Sequence, residues 1–81
     1  MSELIEVESY SGYKIAEKPR SFTWRGKRME ILRIERTWRE EREGDYKTFF
    51  EIIAEDAQKY MISYNETADQ WFLETSPIYS P

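Results

Sequence analysis

Trp24-Arg25-Gly26-Lys27-Arg28, with Arg20 just upstream, gathers four cations and an indole around one glycine in a chain of 81 residues. A positively charged hairpin tip beside aromatics suits a single nucleic-acid strand, with bases stacking on the ring and Lys or Arg meeting phosphates. The opposing reading is structural: Trp24 shares a face with Phe22, so it packs in a core and leaves a solvated tip. Tyr13 sits beside Gly12 on a bend, where an aromatic either anchors a partner protein or covers the end of a barrel. Tyr13, Arg20, Trp24, Arg25, Lys27 and Arg28 together make the candidate surface for a protein or nucleic-acid partner.

Other chemistry is thinly supplied. The chain has no Cys and no His, which removes disulfides, thiolate and imidazole ligands, and the usual nucleophile and proton-carrier systems. Carboxylates, Lys, Tyr and hydroxyls remain, and no spacing selects a catalytic set among them; Tyr13, Lys14 and Lys18 are formal possibilities only. Glu40 to Asp45 holds four carboxylates in six residues, without the alternating Asp pattern and glycine of a calcium loop. It reads as a solvated acidic turn. Asn65-Glu66-Thr67 fits a glycosylation acceptor, which is idle without a secretory signal. The expectation is a non-enzymatic protein with no cofactor and no metal.

The net charge of −4 is split by segment. Residues 14 to 42 hold ten of the 12 Lys and Arg against five of the 16 acids, a local balance of +5. Either this segment forms a basic surface for an anionic partner, or Arg-rich strands lie beside Glu-rich strands and pair with them. The start, Met1-Ser2-Glu3-Leu4, has neither the basic nor the apolar stretch of a signal peptide, and no apolar run exceeds three residues. A soluble cytoplasmic protein is expected, with no membrane role.

The elements that must position these residues read mainly as strands. Ile5 and Val7 alternate with Glu6 and Glu8. Residues 16 to 20 form a connecting loop around Pro19. Phe22 to Trp24 folds against Met29 to Ile31 across the Arg25-Gly26 turn, the clearest hairpin signal in the chain. Met29 and Ile31 keep one phase while Leu32, Ile34 and Trp38 keep the other, which calls for a bulge or bend near Ile31-Leu32. Ile31, Ile34 and Trp38 also fall at helical spacing. A stronger helical rival is the stripe Tyr46, Phe49, Phe50, Ile53, Ala57, Tyr60, Met61 and Tyr64. As strands, the same region alternates from Tyr46 to Ile53, turns at Glu55-Asp56-Ala57-Gln58, and alternates again from Tyr60 to Tyr64. Trp71 and Leu73 share a face in a last strand. Trp38 and Trp71 are costly to leave in water and read as core.

The succession Ser11-Gly12-Tyr13-Lys14, Pro19-Arg20-Ser21-Phe22-Thr23-Trp24-Arg25-Gly26-Lys27-Arg28, Trp38-Arg39 and Tyr60-Met61-Ile62-Ser63-Tyr64 resembles a group of small prokaryotic domains of unknown function. That resemblance implies a compact β-rich domain and no catalytic residue. A related branch is similar to domains associated with translesion-polymerase accessory proteins, which implies a nudge toward DNA transactions. Similar sequences often carry an Asp-Gly turn where this chain has Glu55-Asp56-Ala57-Gln58.

The resulting expectation is one all-β domain over residues 1 to 75 with a flexible tail at 76 to 81. It is a strongly bent antiparallel sheet or small open barrel of five to six strands, of SH3-like size. The alternative is α+β with a helix at 46 to 64. The expected core is Ile5, Val7, Phe22, Met29, Ile34, Phe50, Ile52, Tyr60, Ile62 and Leu73. A protein partner is favoured over nucleic acid because the overall charge is acidic. Oligomeric state is open, with monomer as the default.

Overall fold

The computed structural model describes residues 2–9 and 18–75. Six strands run through them: β1 (Glu3–Ser9), β2 (Pro19–Trp24), β3 (Lys27–Arg42), β4 (Asp45–Ala54), β5 (Lys59–Asn65) and β6 (Gln70–Thr75). Each pairs antiparallel with its neighbour in sequence, and β1 returns to β6, so the sheet is a closed barrel rather than an open one. β1 makes the closure by dividing its length, with Glu3 to Ile5 on β6 and Glu6 to Ser9 on β2.

Turn chemistry sets the registers. Arg25 and Gly26 have φ of 53° and 80°, and Glu43 and Gly44 have φ of 52° and 87°. Two successive left-handed residues make the tight two-residue loop whose twist matches flanking antiparallel strands. Trp24 then faces Lys27, and Arg42 faces Asp45. The β4–β5 turn lacks glycine, and Ala57 takes its left-handed place at φ 67°. Asp56 supports that turn, accepting from the Gln58 N–H at 3.0 Å and the Tyr60 hydroxyl at 2.7 Å.

This turn is why the helical reading of residues 46 to 64 fails. Asp56 offers the backbone a local hydrogen-bonded bend instead of another helical turn. The two halves then pair, Phe50 with Ile62 and Ile52 with Tyr60, and bury the aromatic and branched residues that favour strands. The helical spacing of Ile31, Ile34 and Trp38 is likewise overridden, since all three lie in β3.

Ile5, Phe22, Met29, Phe50, Ile52, Ala54, Tyr60, Ile62 and Leu73 fill the barrel, and Tyr64 is buried with them. Burying a side chain such as Ile52 or Ile62 stabilises by about 1.5–3 kcal/mol. Val7 and Ile34, expected in the core, are partly buried and pack against its edge. Trp71 does the same.

The bend expected near Ile31-Leu32 is present. The β3–β4 register skips Leu32 and, a second time, Glu35. Each skip is an extra residue that bends the strand and resets which side chains face inward. The second one corrects the reading of Trp38. Opposite Phe49, it lies on the outer face of the sheet, half-buried and outside the core. No helix among the described residues is long and apolar enough to cross a membrane.

Candidate functional site

The basic tip lies on the β2–β3 hairpin, and Arg25 and Arg28 are turned onto the barrel itself. Arg28 reaches Glu8 on β1 at 3.0 Å and Glu30 on its own strand at 2.8 Å. The hydrogen-bonded Arg28 holds the Glu8 carboxyl below the usual carboxylate range, with the Ser21 hydroxyl helping, and Glu8 in turn raises Arg28. Arg25 lies over the Trp24 ring at 4.8 Å and approaches Glu3 at 3.7 Å. Trp24 packs against the core and meets Tyr60 edge-on at 6.1 Å. Its indole nitrogen is buried and donates to nothing among the described residues. Lys27 is exposed at the turn; Arg20 is exposed on β2 and also interacts within the chain. Tyr13 lies outside the described residues, as do Tyr10 and Lys14.

Pairing of this kind continues along β3. Arg33 meets Glu35, Arg36 meets Glu51 at 3.5 Å, Arg39 meets Glu66 at 3.1 Å and Arg42 meets Glu40 at 4.0 Å. Six arginines of the positive segment are therefore paired with carboxylates from three strands and a turn.

A different surface forms on the outer face. Phe50 and Ile52 point into the barrel, so Phe49 and Glu51 point out. In register across five strands run Trp38 on β3, Phe49 on β4, Ser63 on β5, Phe72 on β6 and Leu4 on β1. Trp38 and Phe49 stack at 5.4 Å with planes 6° apart. Arg36 lies over Trp38 at 4.8 Å and Lys47 over Phe72 at 5.6 Å. Ser63 is fully buried beneath this row and donates to Glu74 at 2.6 Å. Leu4 remains 59% exposed. Beside the row a groove of about 500 Å³ is lined by Trp38, Glu40, Lys47, Phe49, Met61 and Glu74, among others.

A family model described as a domain of unknown function, DUF6504, matches residues 1–76. The chain belongs to this family. No curated protein and no solved structure matches it. The family agrees with the resemblance drawn from the sequence as far as a small domain of unknown function; its description says nothing of translesion polymerases.

A cleft of about 730 Å³ in this DUF6504 domain runs beside β1 and is lined by Glu6, Glu8, Thr23, Arg25 and Trp71, among others. A carboxylic acid that donates a proton near neutral pH needs its pKa raised. Glu8 is shifted the other way. No group of three or more acidic residues among those described is placed to hold a metal ion. The outer row of the DUF6504 domain escaped sequence reasoning because its members come from five strands. The signal that could have found it is the apolar outward phase of β4, where Phe49 stands between Lys47 and Glu51.

Proposed function

We propose that this DUF6504 domain is a non-enzymatic binding module that engages a protein partner through its outer apolar row. The observation that carries the reading is the row itself, Trp38, Phe49, Phe72 and Leu4, lying across the outside of the barrel where the core makes no use of it. Outward apolar surface rimmed by charges is the usual mark of a protein contact, and Trp beside Arg is a favoured anchor. Arg36 over Trp38, with Glu40 accepting from its indole N–H at 3.1 Å, supplies such an anchor with a polar rim.

Nucleic-acid binding draws less support. Arg28 already serves two carboxylates, Trp24 packs on Tyr60, and the chain is acidic overall. Phosphate contact would have to displace those ion pairs before releasing counterions.

Site-specific photo-crosslinking in cells that express the protein tests the proposal. A photoreactive phenylalanine analogue replaces Phe72 in one variant and Lys27 in another. A discrete protein adduct from position 72, lost when Leu4→Glu is added, is the expected result. Adducts from position 27 alone, or adducts to nucleic acid, would overturn the reading.

A further inference from the structure

We infer that two copies of this chain pair edge to edge along β3, antiparallel, about a two-fold axis at Trp38. β2 runs beside β3 only as far as Glu30, whereas β3 continues to Arg42 with β4 on its other side. Among the described residues no strand occupies the second edge of β3 from Ile31 to Arg42. An edge of this length presents a row of backbone donors and acceptors able to pair with another chain.

Such edges are normally blunted, and this one carries two familiar devices, its bulges and its charges. The bulges at Leu32 and Glu35 disrupt the first part of the edge. Residues 36 to 42 follow without a register shift. There the charges do something more selective than repel. Arg36, Trp38 and Glu40 share the outer face, opposite Glu51, Phe49 and Lys47 of β4. An antiparallel second copy centred on Trp38 sets Arg36 against Glu40, Trp38 against Trp38, and Glu40 against Arg36.

Other registers lack that match. Centring on Arg36, Arg39 or Glu40 brings that residue against its own copy. Centring on Thr37 sets Arg36 against Trp38 and leaves Glu40 facing Ile34. A parallel in-register pair would align every like charge. The sequence order along the edge thus rejects most partners and registers while accepting one arrangement of itself, which is how specificity by exclusion works. Arg36 and Glu40 are exposed enough to exchange their present partners at small cost.

The consequence is a continuous outer surface, Phe49–Trp38 of one copy meeting Trp38–Phe49 of the other. This inference goes beyond the binding role proposed above: the open edge of β3 carries it, and the outer-face residues Arg36, Trp38 and Glu40 set its register. A contact of about five residues per copy is small, so a Kd between about 1 μM and 1 mM is expected.

Sedimentation equilibrium on the full chain, up to about 1 mM, tests it with a charge swap. Arg36→Glu or Glu40→Arg alone sets like charges across the axis and should weaken the dimer at least tenfold; the double variant restores the match and should recover most of it. Amide NMR of each variant checks that the barrel is intact. A wild-type chain that stays monomeric throughout, a dimer indifferent to the single changes, or a double variant no better than the singles would each overturn the inference. Leu4→Glu, which removes the position-72 crosslink and lies on β1 away from the edge of β3, should leave the dimer intact and so separates this inference from the partner reading.

Discussion

Two tryptophans in this domain carry the same local chemistry and lead opposite lives. Trp24 and Trp38 each have a guanidinium over the ring at 4.8 Å, Arg25 in one case and Arg36 in the other. Trp24 keeps the inward phase of Phe22 and packs on Tyr60 at the barrel wall. Trp38 stands after two bulges, faces outward, and stacks on Phe49. An aromatic beside a cation therefore says nothing by itself about availability to a partner. The phase of the strand decides, and bulges set the phase.

Removing each ring separates the two tryptophans most forcefully. Trp24→Ala should cost about 2–4 kcal/mol of stability, since it opens a void beside Tyr60 and Phe22. Trp38→Ala should cost about 1 kcal/mol or less, the worth of one aromatic pair at the surface, while removing the position-72 crosslink. Urea unfolding of the two variants measures the difference, and equal losses would mean that both rings are structural.

A smaller effect sharpens the contrast at the wall Trp24 leans on. Tyr60→Phe keeps the ring against Trp24 and deletes only the hydroxyl that donates to Asp56. A loss of about 1 kcal/mol is expected, with the Trp24 indole N–H signal unmoved. A large shift of that signal would show the hydroxyl, and not ring packing, placing Trp24.

At the other end of β5, Tyr64 repeats the device by donating to Asp69. Burial first, and then Asp69, push its phenol up to about 12. The fold therefore favours the neutral phenol. Its contribution is intact below the ordinary tyrosine pKa near 10 and is lost as pH rises toward about 12. Tyr64→Phe should flatten the fall in stability between about pH 10 and 12 relative to the wild type, as followed by thermal unfolding. Tyr60 is raised for the same reasons, burial before Asp56, and contributes in the same direction.

The smallest expected change is a gain. Ala57 holds φ 67° in the turn after β4. Ala57→Gly should stabilise by about 0.5–1 kcal/mol by relieving the left-handed backbone. Thermal unfolding should show a rise in Tm, and a fall would mean that chain entropy outweighs the strain.

Much of the barrel was legible because alternation is a local signal. Ile5 and Val7, Phe22 and Trp24, Phe50 and Ile52, and Trp71 and Leu73 each announced an inward face, and Arg25-Gly26 announced its turn. The bend at Ile31-Leu32 could be read from a change of phase. The second bulge at Glu35 could not, because no apolar residue between Ile34 and Trp38 marks where the phase resets. That one residue moved Trp38 from the expected core to the surface. The basic tip was legible as composition, whereas its partners Glu3 and Glu8 lie about 20 residues away and become neighbours only when β1 closes the barrel. The outer row was hidden for the same reason.

The most direct test of the two-tryptophan account is a two-dimensional NMR titration with mixed-sequence single-stranded DNA at about 50 and 200 mM salt, the range over which phosphate contacts lose most affinity. The amide and indole signals report the tip and Trp38 separately. Trp24 to Arg28 should stay unmoved at both salt concentrations. Shifts centred on Trp24, Arg25, Lys27 and Arg28 that fade with salt would contradict it, returning the tip to service as a nucleic-acid surface.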